Sequence, residues 1–155
     1  MKTIYVIHGP NLNMLGIREP ELYGRQSYED LLQYIDSIAD SLNFTTKFFQ
    51  SNHEGSLIDF VQDAYGKADA ILINPGAYAH TSIALADALR SVMLPCIEVH
   101  LTDINSREPY RRISYTGEAC NAVLSGKGFD GYKEALIELN NLIKDKDKKI
   151  RAGLI

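Results

Sequence analysis

Short apolar runs alternate with amphipathic segments along this chain. The first run, residues 2–7, is rich in β-branched and aromatic residues and stops before Gly9, which is typical of a strand buried on both faces of a parallel sheet. Further along, Ser27 and Asp30 have the spacing of a helix-capping box, and apolar residues follow at helical spacing as far as Leu42. A long loop therefore separates the first predicted strand from the first predicted helix.

The same alternation continues to the end of the sequence. We predict further strands at 44–50, 69–74, 95–99 and 119–124, and further helices at 57–66, from Thr81 or Ser82 to about Met93, and around 132–143. This order predicts an α/β fold with a five-stranded parallel sheet, for which we choose the strand order 2-1-3-4-5. Such sheets bind ligands at the carboxyl ends of their strands. We expect one domain, residues 1–155, whose charged tail frays from about residue 144.

The composition excludes several classes of protein. Of the 155 residues, 45% are hydrophobic and 23% are charged, as in an ordinary globular domain. The formal net charge is −4 and no basic stripe carries interleaved aromatic residues, so we expect no nucleic-acid partner. No apolar run approaches the roughly 18 residues of a membrane span, so we expect a soluble, cytoplasmic protein that does not bind membranes. Cys96 and Cys120 lie far apart in apolar runs, and we predict reduced core residues.

The loop after the first strand, residues 8–25, is unusually long. It has about eighteen residues, whereas most strand-to-helix connections have about two to six, so we expect a functional loop or lid. Arg18 and Tyr23 are its most suggestive pair, because a nearby guanidinium favours the phenolate form of a tyrosine and so makes a general base. The alternative is that Tyr23 packs on the surface while Arg18 pairs with Glu19 or Glu21.

The loop after the third strand reads NPGAYAHTS. Gly76 allows the backbone to approach a ligand, and the amides that open the next helix can bind a carboxylate. His80 is either a ligand contact or a polar residue before the helix. Asp87 lies inside the predicted helix, where a solvated surface charge is the ordinary interpretation.

The loop after the fourth strand reads EVHLTDINSREPYRR. Glu98 precedes His100 by two residues on the same face of the strand and could orient it as a general acid. Arg107, Arg111 and Arg112 could bind a carboxylate in fork geometry. The alternative is a structural histidine beside a solvated basic turn. The four histidines are dispersed over four segments, so we expect no metal site and no cofactor.

Other proteins with this fold carry motifs that are absent from this sequence. No phosphate-binding loop for a flavin follows the first strand, and neither a P-loop nor a GxGxxG motif is present. The third strand ends in Asn74, where a phospho-acceptor signalling domain would need an aspartate.

Four segments at the predicted strand ends together resemble the type II 3-dehydroquinate dehydratases: GPNLNMLGIREPELYG, QSNHEG, INPGAYAHTS with DAL, and EVHLTDINSREPYR. The resemblance extends to about Tyr132. It implies a flavodoxin-like fold and a lyase that converts 3-dehydroquinate to 3-dehydroshikimate by anti elimination through an enolate, without metal or imine. It places the chain in the shikimate pathway or in quinate breakdown, and it implies trimers that assemble into a homododecamer.

The resemblance also implies roles for individual residues. Tyr23 would be the base that takes the proton next to the ketone, and Arg18 would lower its pKa. His100 would be the acid that protonates the leaving hydroxyl, with Glu98 orienting its ring. Asn11 would stabilise the enolate oxygen. The substrate's hydroxyls and carboxylate would be bound by Asn74, His80, Leu101, Thr102 and Arg111, and Asp87 would reach the site of a neighbouring subunit.

The sequence departs from the family pattern at a few positions. His8 stands where Asn or Gln is frequent, Thr102 replaces a commoner Ser, and Asp103 replaces a commoner Asn. Thr102 keeps a hydroxyl, whereas Asp103 adds a negative charge near an anionic substrate. Pro109 replaces an acidic residue without an evident catalytic consequence. The competing hypothesis is a catalytically silent carboxylate-binding or assembly module on the same fold, although such a module would need no acid and base at one pocket.

Overall fold

The computed structural model describes residues 1–17, 19, 21 and 25–155. Within these residues the strands are β1 (Lys2–His8), β2 (Phe44–Gln50), β3 (Ala70–Asn74), β4 (Cys96–His100) and β5 (Ala122–Ser125). The helices are α1 (Tyr28–Ser41), α2 (Glu54–Asp63), α3 (Ile83–Val92), α4 (Tyr115–Glu118) and α5 (Asp130–Arg151). Short 3-10 helices lie at Leu12–Met14, Gly76–His80, Ile104–Ser106 and Pro109–Arg111.

The five strands form one parallel sheet in the order β2-β1-β3-β4-β5. The predicted fold class and strand order are therefore confirmed. The register pairs His8 with Asn74 between β1 and β3, so the ends of these two central strands lie side by side. Every strand points its carboxyl end to the same edge of the sheet, and the loops after β1, β3 and β4 meet there.

Helices cover both faces of the sheet, and each face has its own apolar core. On one face, α1 and α5 pack Leu31, Ile35 and Leu136 against the sheet. On the other face, α2 and α3 contribute Leu57 and Leu85. The central strands are buried on both sides because alternate residues of each strand enter the two cores. This three-layer packing fixes the strand ends that carry the polar loops.

The helix starts follow the predicted capping chemistry. The side chain of Ser27 accepts a hydrogen bond from the Asp30 amide, and the Asp30 carboxylate accepts one from the Ser27 amide, which confirms the capping box. Helix α3 is capped by Ser82, whose hydroxyl accepts from the Leu85 amide at 3.0 Å. Of the two residues predicted to cap this helix, Ser82 is therefore the one that does so.

The start of β5 was predicted too early. Residues 119–121 close the short helix α4, with the Cys120 amide donating to the Gly117 carbonyl at 3.1 Å, and β5 begins only at Ala122. A short apolar run does not distinguish a strand from a helical turn, which explains the error. Both cysteines are free thiols, Cys96 buried and Cys120 half-buried. Although distant in sequence, their sulfurs lie 3.2 Å apart.

Helix α5 continues through the charged tail as far as Arg151. The segment that was expected to fray is therefore helical. It is also tied to β1, because Lys2 forms an ion pair with Asp147 at 3.0 Å. In the part of the chain that the structure describes, no helix combines the length and apolar character needed to cross a membrane.

Candidate functional site

A cavity of ≈ 170 Å³ opens at the carboxyl ends of β1, β3 and β4. Its walls come from the three loops that the sequence singled out, and it lies at the edge where a parallel sheet of this type binds ligands. The residues that line it are Pro10, Asn11, Leu12, Leu15, Asn74, Gly76, Ala77, His80, His100, Leu101, Thr102, Ile104, Arg107 and Arg111.

Two glycines allow the loops after β1 and β3 to pack directly against each other. A side chain at Gly9 would clash with the Pro75 carbonyl. Gly76 has a positive φ of 59°, and a Cβ there would lie 3.0 Å from the Pro10 carbonyl oxygen. Only glycine allows this close approach at both positions and adopts the positive φ of Gly76 without strain. This close backbone packing brings Asn11 and Asn74 to one wall of the cavity.

Asn74 is held in a fixed orientation. Its Oδ1 accepts a hydrogen bond from the Gly76 amide at 3.2 Å, and its Nδ2 donates to the Tyr132 hydroxyl at 3.1 Å. Asn11 has a positive φ of 70°, and its backbone amide donates to Asn52 at 3.0 Å. Both residues line the cavity, Asn74 from the end of β3 and Asn11 from a loop whose backbone is held by Asn52.

His100 and Glu98 form a buried pair at the end of β4. The distance from His100 Nε2 to Glu98 Oε2 is 2.7 Å, and the Glu98 side chain is fully buried. Ser114 donates to the same carboxylate oxygen at 2.6 Å, and the Thr116 hydroxyl donates to the other oxygen, Oε1. Each oxygen of the carboxylate therefore has a hydrogen-bond donor.

These partners keep Glu98 ionised. Burial acts to raise the pKa of the Glu98 carboxyl, but the hydrogen bond and charge of His100, with the hydroxyls of Ser114 and Thr116, outweigh burial and hold that pKa below its usual value. An ionised Glu98 can only accept hydrogen bonds, so His100 Nε2 carries a hydrogen. Nδ1 is then the ring nitrogen of His100 that does not contact Glu98.

His80 lies beside His100 in the cavity wall. The two imidazole rings are stacked, with their centroids 6.2 Å apart and an interplanar angle of 20°. His80 Nδ1 lies 2.6 Å from the Ile113 carbonyl oxygen. Because a carbonyl can only accept a hydrogen bond, Nδ1 is the protonated nitrogen, and Nε2 remains for a ligand.

The loop after β4 brings positive charge to the cavity. Arg107 and Arg111 both line it, and Arg111 Nε donates to Glu108 Oε2 at 2.7 Å. Burial acts to lower the pKa of Arg111, but the Glu108 carboxylate raises it overall, so the guanidinium stays charged. Leu101 and Thr102, which follow His100, also line the cavity. This combination of guanidinium groups and backbone amides suits a ligand carboxylate.

The structure brings together most of the residues that the sequence singled out. Those that line one cavity are Asn11, Asn74, His80, His100, Leu101, Thr102 and Arg111, and Glu98 lies directly behind His100. Asp87 does not line it: its side chain on α3 is 68% exposed and pairs with Arg90 at 3.3 Å. Arg18 and Tyr23 lie outside the described residues.

The sequence predicted that the negative charge of Asp103 would lie near an anionic substrate, but the structure places this residue differently. Its carboxylate accepts a hydrogen bond from the Asn105 amide at 3.0 Å and caps the helical turn at Ile104–Ser106. The carboxylate therefore stabilises the start of this turn, and Asp103 is not among the residues that line the cavity.

Some residues that hydrogen-bond to the side chains of the site were not predicted from the sequence. Ser114, Thr116 and Tyr132 bond to Glu98 or Asn74, yet none of them lies at a strand end. Ser114 and Thr116 have the alternating spacing that would place two hydroxyls near each other, but nothing in the sequence shows their partner. Among residues 1–17, 19, 21 and 25–155, no group of three His, Cys, Asp or Glu side chains is placed to hold a metal ion.

The fold is that of a flavodoxin-like α/β protein, and its cavity combines two arginines with a carboxylate-paired histidine. The sequence model of the family described as "Dehydroquinase class II" matches residues 2–140. The chain therefore belongs to the class II dehydroquinase family.

Individual relatives agree with this membership. The chain is 50% identical over 144 residues to "3-dehydroquinate dehydratase" of Caldicellulosiruptor bescii, covering 92% of this chain and 99% of that protein. It is 44% identical over 153 residues to "Catabolic 3-dehydroquinase" of Penicillium rubens, covering 99% of both. The crystal structure of the type II dehydroquinase of Butyrivibrio crossotus is similar with a TM-score of 0.88 and 48% identity, covering 90% of this chain and 97% of that one.

Proposed function

We propose that this protein is a hydro-lyase that dehydrates 3-dehydroquinate to 3-dehydroshikimate, in the shikimate pathway or in quinate breakdown. The reaction is an anti elimination through an enolate and requires no cofactor. The observation that carries the proposal is the buried Glu98–His100 pair, 2.7 Å apart, facing a cavity with two arginines in a chain of the class II dehydroquinase family.

His100 is the general acid. Ionised Glu98 accepts the Nε2 hydrogen and stabilises the imidazolium, so the proton on Nδ1 is transferred to the departing hydroxyl. The leaving group departs as water, and neutral His100 is protonated again before the next turnover. Glu98 does not contact the substrate, and its role is to orient and charge-balance the imidazole.

Tyr23 is the general base for the first step. A tyrosine phenol has an ordinary pKa near 10, so it needs a neighbouring cation to act as a phenolate near neutral pH, and Arg18 supplies that cation. Tyr23 removes the proton next to the ketone, and the electrons of the broken C–H bond form the enolate. Asn11, in the cavity wall, donates to the enolate oxygen directly or through water.

The remaining polar groups of the cavity hold the substrate. Arg111 and the amides of Leu101 and Thr102 bind the carboxylate, whereas Asn74, His80 and the Thr102 hydroxyl bind ring hydroxyls. Arg107 adds a second guanidinium on the carboxylate side. The support is that all of these residues line one cavity.

The working enzyme is a cytoplasmic homododecamer, a tetramer of trimers, in which Asp87 reaches the site of a neighbouring subunit. Support comes from the exposed position of Asp87 on α3, away from the cavity of its own chain. Sedimentation of the purified protein tests this assembly, and a monomer at assay concentration would contradict the role of Asp87. Each subunit is a single catalytic domain.

The experiment mixes the purified protein with 3-dehydroquinate, without added metal, and follows the ultraviolet absorbance of the conjugated enone product. We expect turnover by the wild-type protein. Tyr23→Phe should lose most of kcat with substrate binding largely intact, while Tyr65→Phe, a change at an exposed tyrosine, should leave kcat unchanged. A folded wild-type protein that gives no signal would remove the proposed function.

A further inference from the structure

β1 ends at a histidine for which the proposed mechanism has no use. His8 is fully buried beneath α1 and α5 and does not line the cavity. Its Nδ1 lies 3.0 Å from the Tyr28 hydroxyl, and its Nε2 lies 3.1 Å from the Tyr132 hydroxyl. The Tyr28 ring packs edge-on against the imidazole, with centroids 5.3 Å apart. Each ring nitrogen of His8 is therefore hydrogen-bonded to a tyrosine hydroxyl.

The hydrogen bonds continue from His8 to the cavity. The Tyr132 hydroxyl that contacts His8 also accepts from Asn74 Nδ2 at 3.1 Å, and Asn74 lines the cavity. His8 and Asn74 are cross-strand neighbours in the register of β1 and β3, so this connection is made between adjacent strand ends. The other end of the Asn74 carboxamide is held by the Gly76 amide at 3.2 Å.

A count of hydrogens gives the direction of these bonds. Asn74 Nδ2 can only donate, so the Tyr132 oxygen is its acceptor. The Tyr132 hydroxyl hydrogen then needs an acceptor of its own, and His8 Nε2 is the group within reach. Nδ1 accordingly carries the ring hydrogen and donates to Tyr28. The opposite tautomer would leave the buried Tyr132 hydrogen without a partner, which costs free energy.

Burial keeps the imidazole in the neutral form that this order requires. With no charged partner on either ring nitrogen, desolvation lowers the pKa of His8 to about 3. The two phenols are also uncharged, since burial raises the pKa of both Tyr28 and Tyr132 above the ordinary value. The whole series is therefore a neutral scaffold at physiological pH.

We propose that His8 is a positioning residue for substrate recognition: it fixes the Tyr132 hydroxyl, which fixes the Asn74 carboxamide so that the second Nδ2 hydrogen meets a hydroxyl oxygen of the substrate. This inference rests on the proposed function. Without the acceptor at His8 Nε2, the Tyr132 hydroxyl turns elsewhere and the Asn74 side chain loses its preferred rotamer. The consequence is weaker substrate binding, with the proton transfers at His100 unaffected.

The first test removes a single oxygen atom. Tyr132→Phe should raise KM for 3-dehydroquinate by about tenfold, as expected for one hydrogen bond, with kcat within about threefold of wild type. In an Asn74→Ala background the same change should produce no further rise in KM, because the group that it positions is gone. A purely structural role for Tyr132 predicts instead the same penalty in both backgrounds, and that result would overturn the inference.

The second test uses two replacements of His8 that each keep one nitrogen position. Glutamine reaches the position of Nε2 and can still accept from Tyr132, whereas asparagine reaches only that of Nδ1. His8→Gln should keep KM within about twofold of wild type, and His8→Asn should raise it about tenfold. Equal KM values for the two variants would contradict the proposal, and this pair decides the question even if Tyr132→Phe fails to fold.

The outcomes separate this inference from the proposed function. A wild-type protein that does not turn over 3-dehydroquinate removes the proposed function and the inference with it. An active wild-type protein whose Tyr132→Phe variant has an unchanged KM removes the positioning role alone. Thermal melts of all variants report whether a loss of activity reflects a loss of fold.

Discussion

Two strands of the same sheet, β1 and β4, each end in a buried histidine, and the surroundings of the two histidines differ. His8 bonds to the phenols of Tyr28 and Tyr132, whereas His100 bonds to the carboxylate of Glu98. Both side chains are almost fully removed from solvent, with relative exposures of 0% for His8 and 6% for His100. Burial alone therefore does not determine what a histidine does here.

The partner of each ring decides its chemistry. Neutral phenols cannot compensate a buried positive charge, so desolvation holds His8 neutral and makes it a fixed acceptor and donor. An ionised carboxylate can compensate such a charge, which is why the proposed mechanism assigns the acid to His100 and not to His8. We expect substitutions at the two positions to separate catalysis from scaffolding.

The largest effect is expected from removing the acid. His100→Asn keeps a polar atom at the position of Nδ1 but cannot protonate the leaving hydroxyl, so kcat should fall by about 10²–10⁴-fold while KM changes by only a few fold. Steady-state kinetics with the enone absorbance measures both constants. His8→Gln is the matched control in the other histidine and should retain most of kcat. A His100→Asn variant with kcat within tenfold of wild type would show that another group supplies the proton.

The next effect concerns the charge behind His100. Glu98→Gln keeps an acceptor oxygen for Nε2 but removes the negative charge, and a hydrogen bond to a charged group contributes roughly 1.5–3 kcal/mol. We expect kcat to fall by about 10–100-fold with KM little changed. The isosteric side chain preserves packing, so an unaltered thermal melt supports an electrostatic cause. If kcat were unchanged, the carboxylate would serve folding only.

The sequence predicted the cavity wall better than the supports behind it. Residues at strand ends are recognisable because the topology sends them all to one edge, and this brought His80, His100 and Arg111 together as expected. Ser114, Thr116 and Tyr132 lie within or beside helices that follow later in the chain. Their contacts with Glu98 and Asn74 depend on how the helices pack across the sheet, which no local pattern encodes.

In the fold, too, local sequence patterns predicted some features and not others. Alternating apolar runs were sufficient to find five strands, and the runs of β1, β3 and β4 stand out because these strands are largely buried. The strand order, which the runs do not determine, was chosen and is confirmed. The start of β5 was misplaced, since the apolar residues at 119 and 120 form a helical turn after α4 and bring Cys120 beside Cys96. Local periodicity determines which elements exist more firmly than where they begin.

Stability against pH offers a test of the neutral histidine. The folded protein holds the pKa of His8 at about 3, whereas an unfolded chain has its ordinary value of 6.5. Between these values the unfolded chain binds one proton more than the folded protein, so the free energy of unfolding falls as the pH is lowered from 6.5 towards 3. One proton corresponds to about 1.4 kcal/mol per pH unit at most.

His8→Gln removes the titrating imidazole, so the difference between the wild-type and variant curves isolates the contribution of His8. The pH curve of the variant should be shallower than that of wild type over the same range, while carboxyl groups such as Glu98 titrate in both proteins and cancel in the difference. Denaturant unfolding at a fixed protein concentration measures both curves, since assembly would otherwise change the apparent stability. Parallel curves would mean that His8 takes up protons equally in the folded and unfolded states.

The smallest effect on kcat is expected at the Thr116 hydroxyl, which reaches His100 only through Glu98. Thr116→Val keeps the shape of a fully buried side chain but removes the donor to Glu98 Oε1, leaving that carboxylate oxygen without its partner. Loss of this bond should raise the pKa of Glu98, whose wild-type carboxyl is held below its usual value partly by Thr116. We expect kcat to fall about threefold to tenfold, less than for Glu98→Gln, because the carboxylate keeps its charge and Ser114 still donates to Oε2.

The pH dependence distinguishes this mechanism from a general loss of packing. Protonated Glu98 no longer stabilises the imidazolium of His100, so the deficit of Thr116→Val should grow as the assay pH is lowered from 7 to 5. Thr45→Val, the same change at an exposed position of β2, should show neither the deficit nor its pH dependence. A deficit that is constant across this range would assign Thr116 to packing and leave Ser114 as the hydroxyl that keeps Glu98 charged.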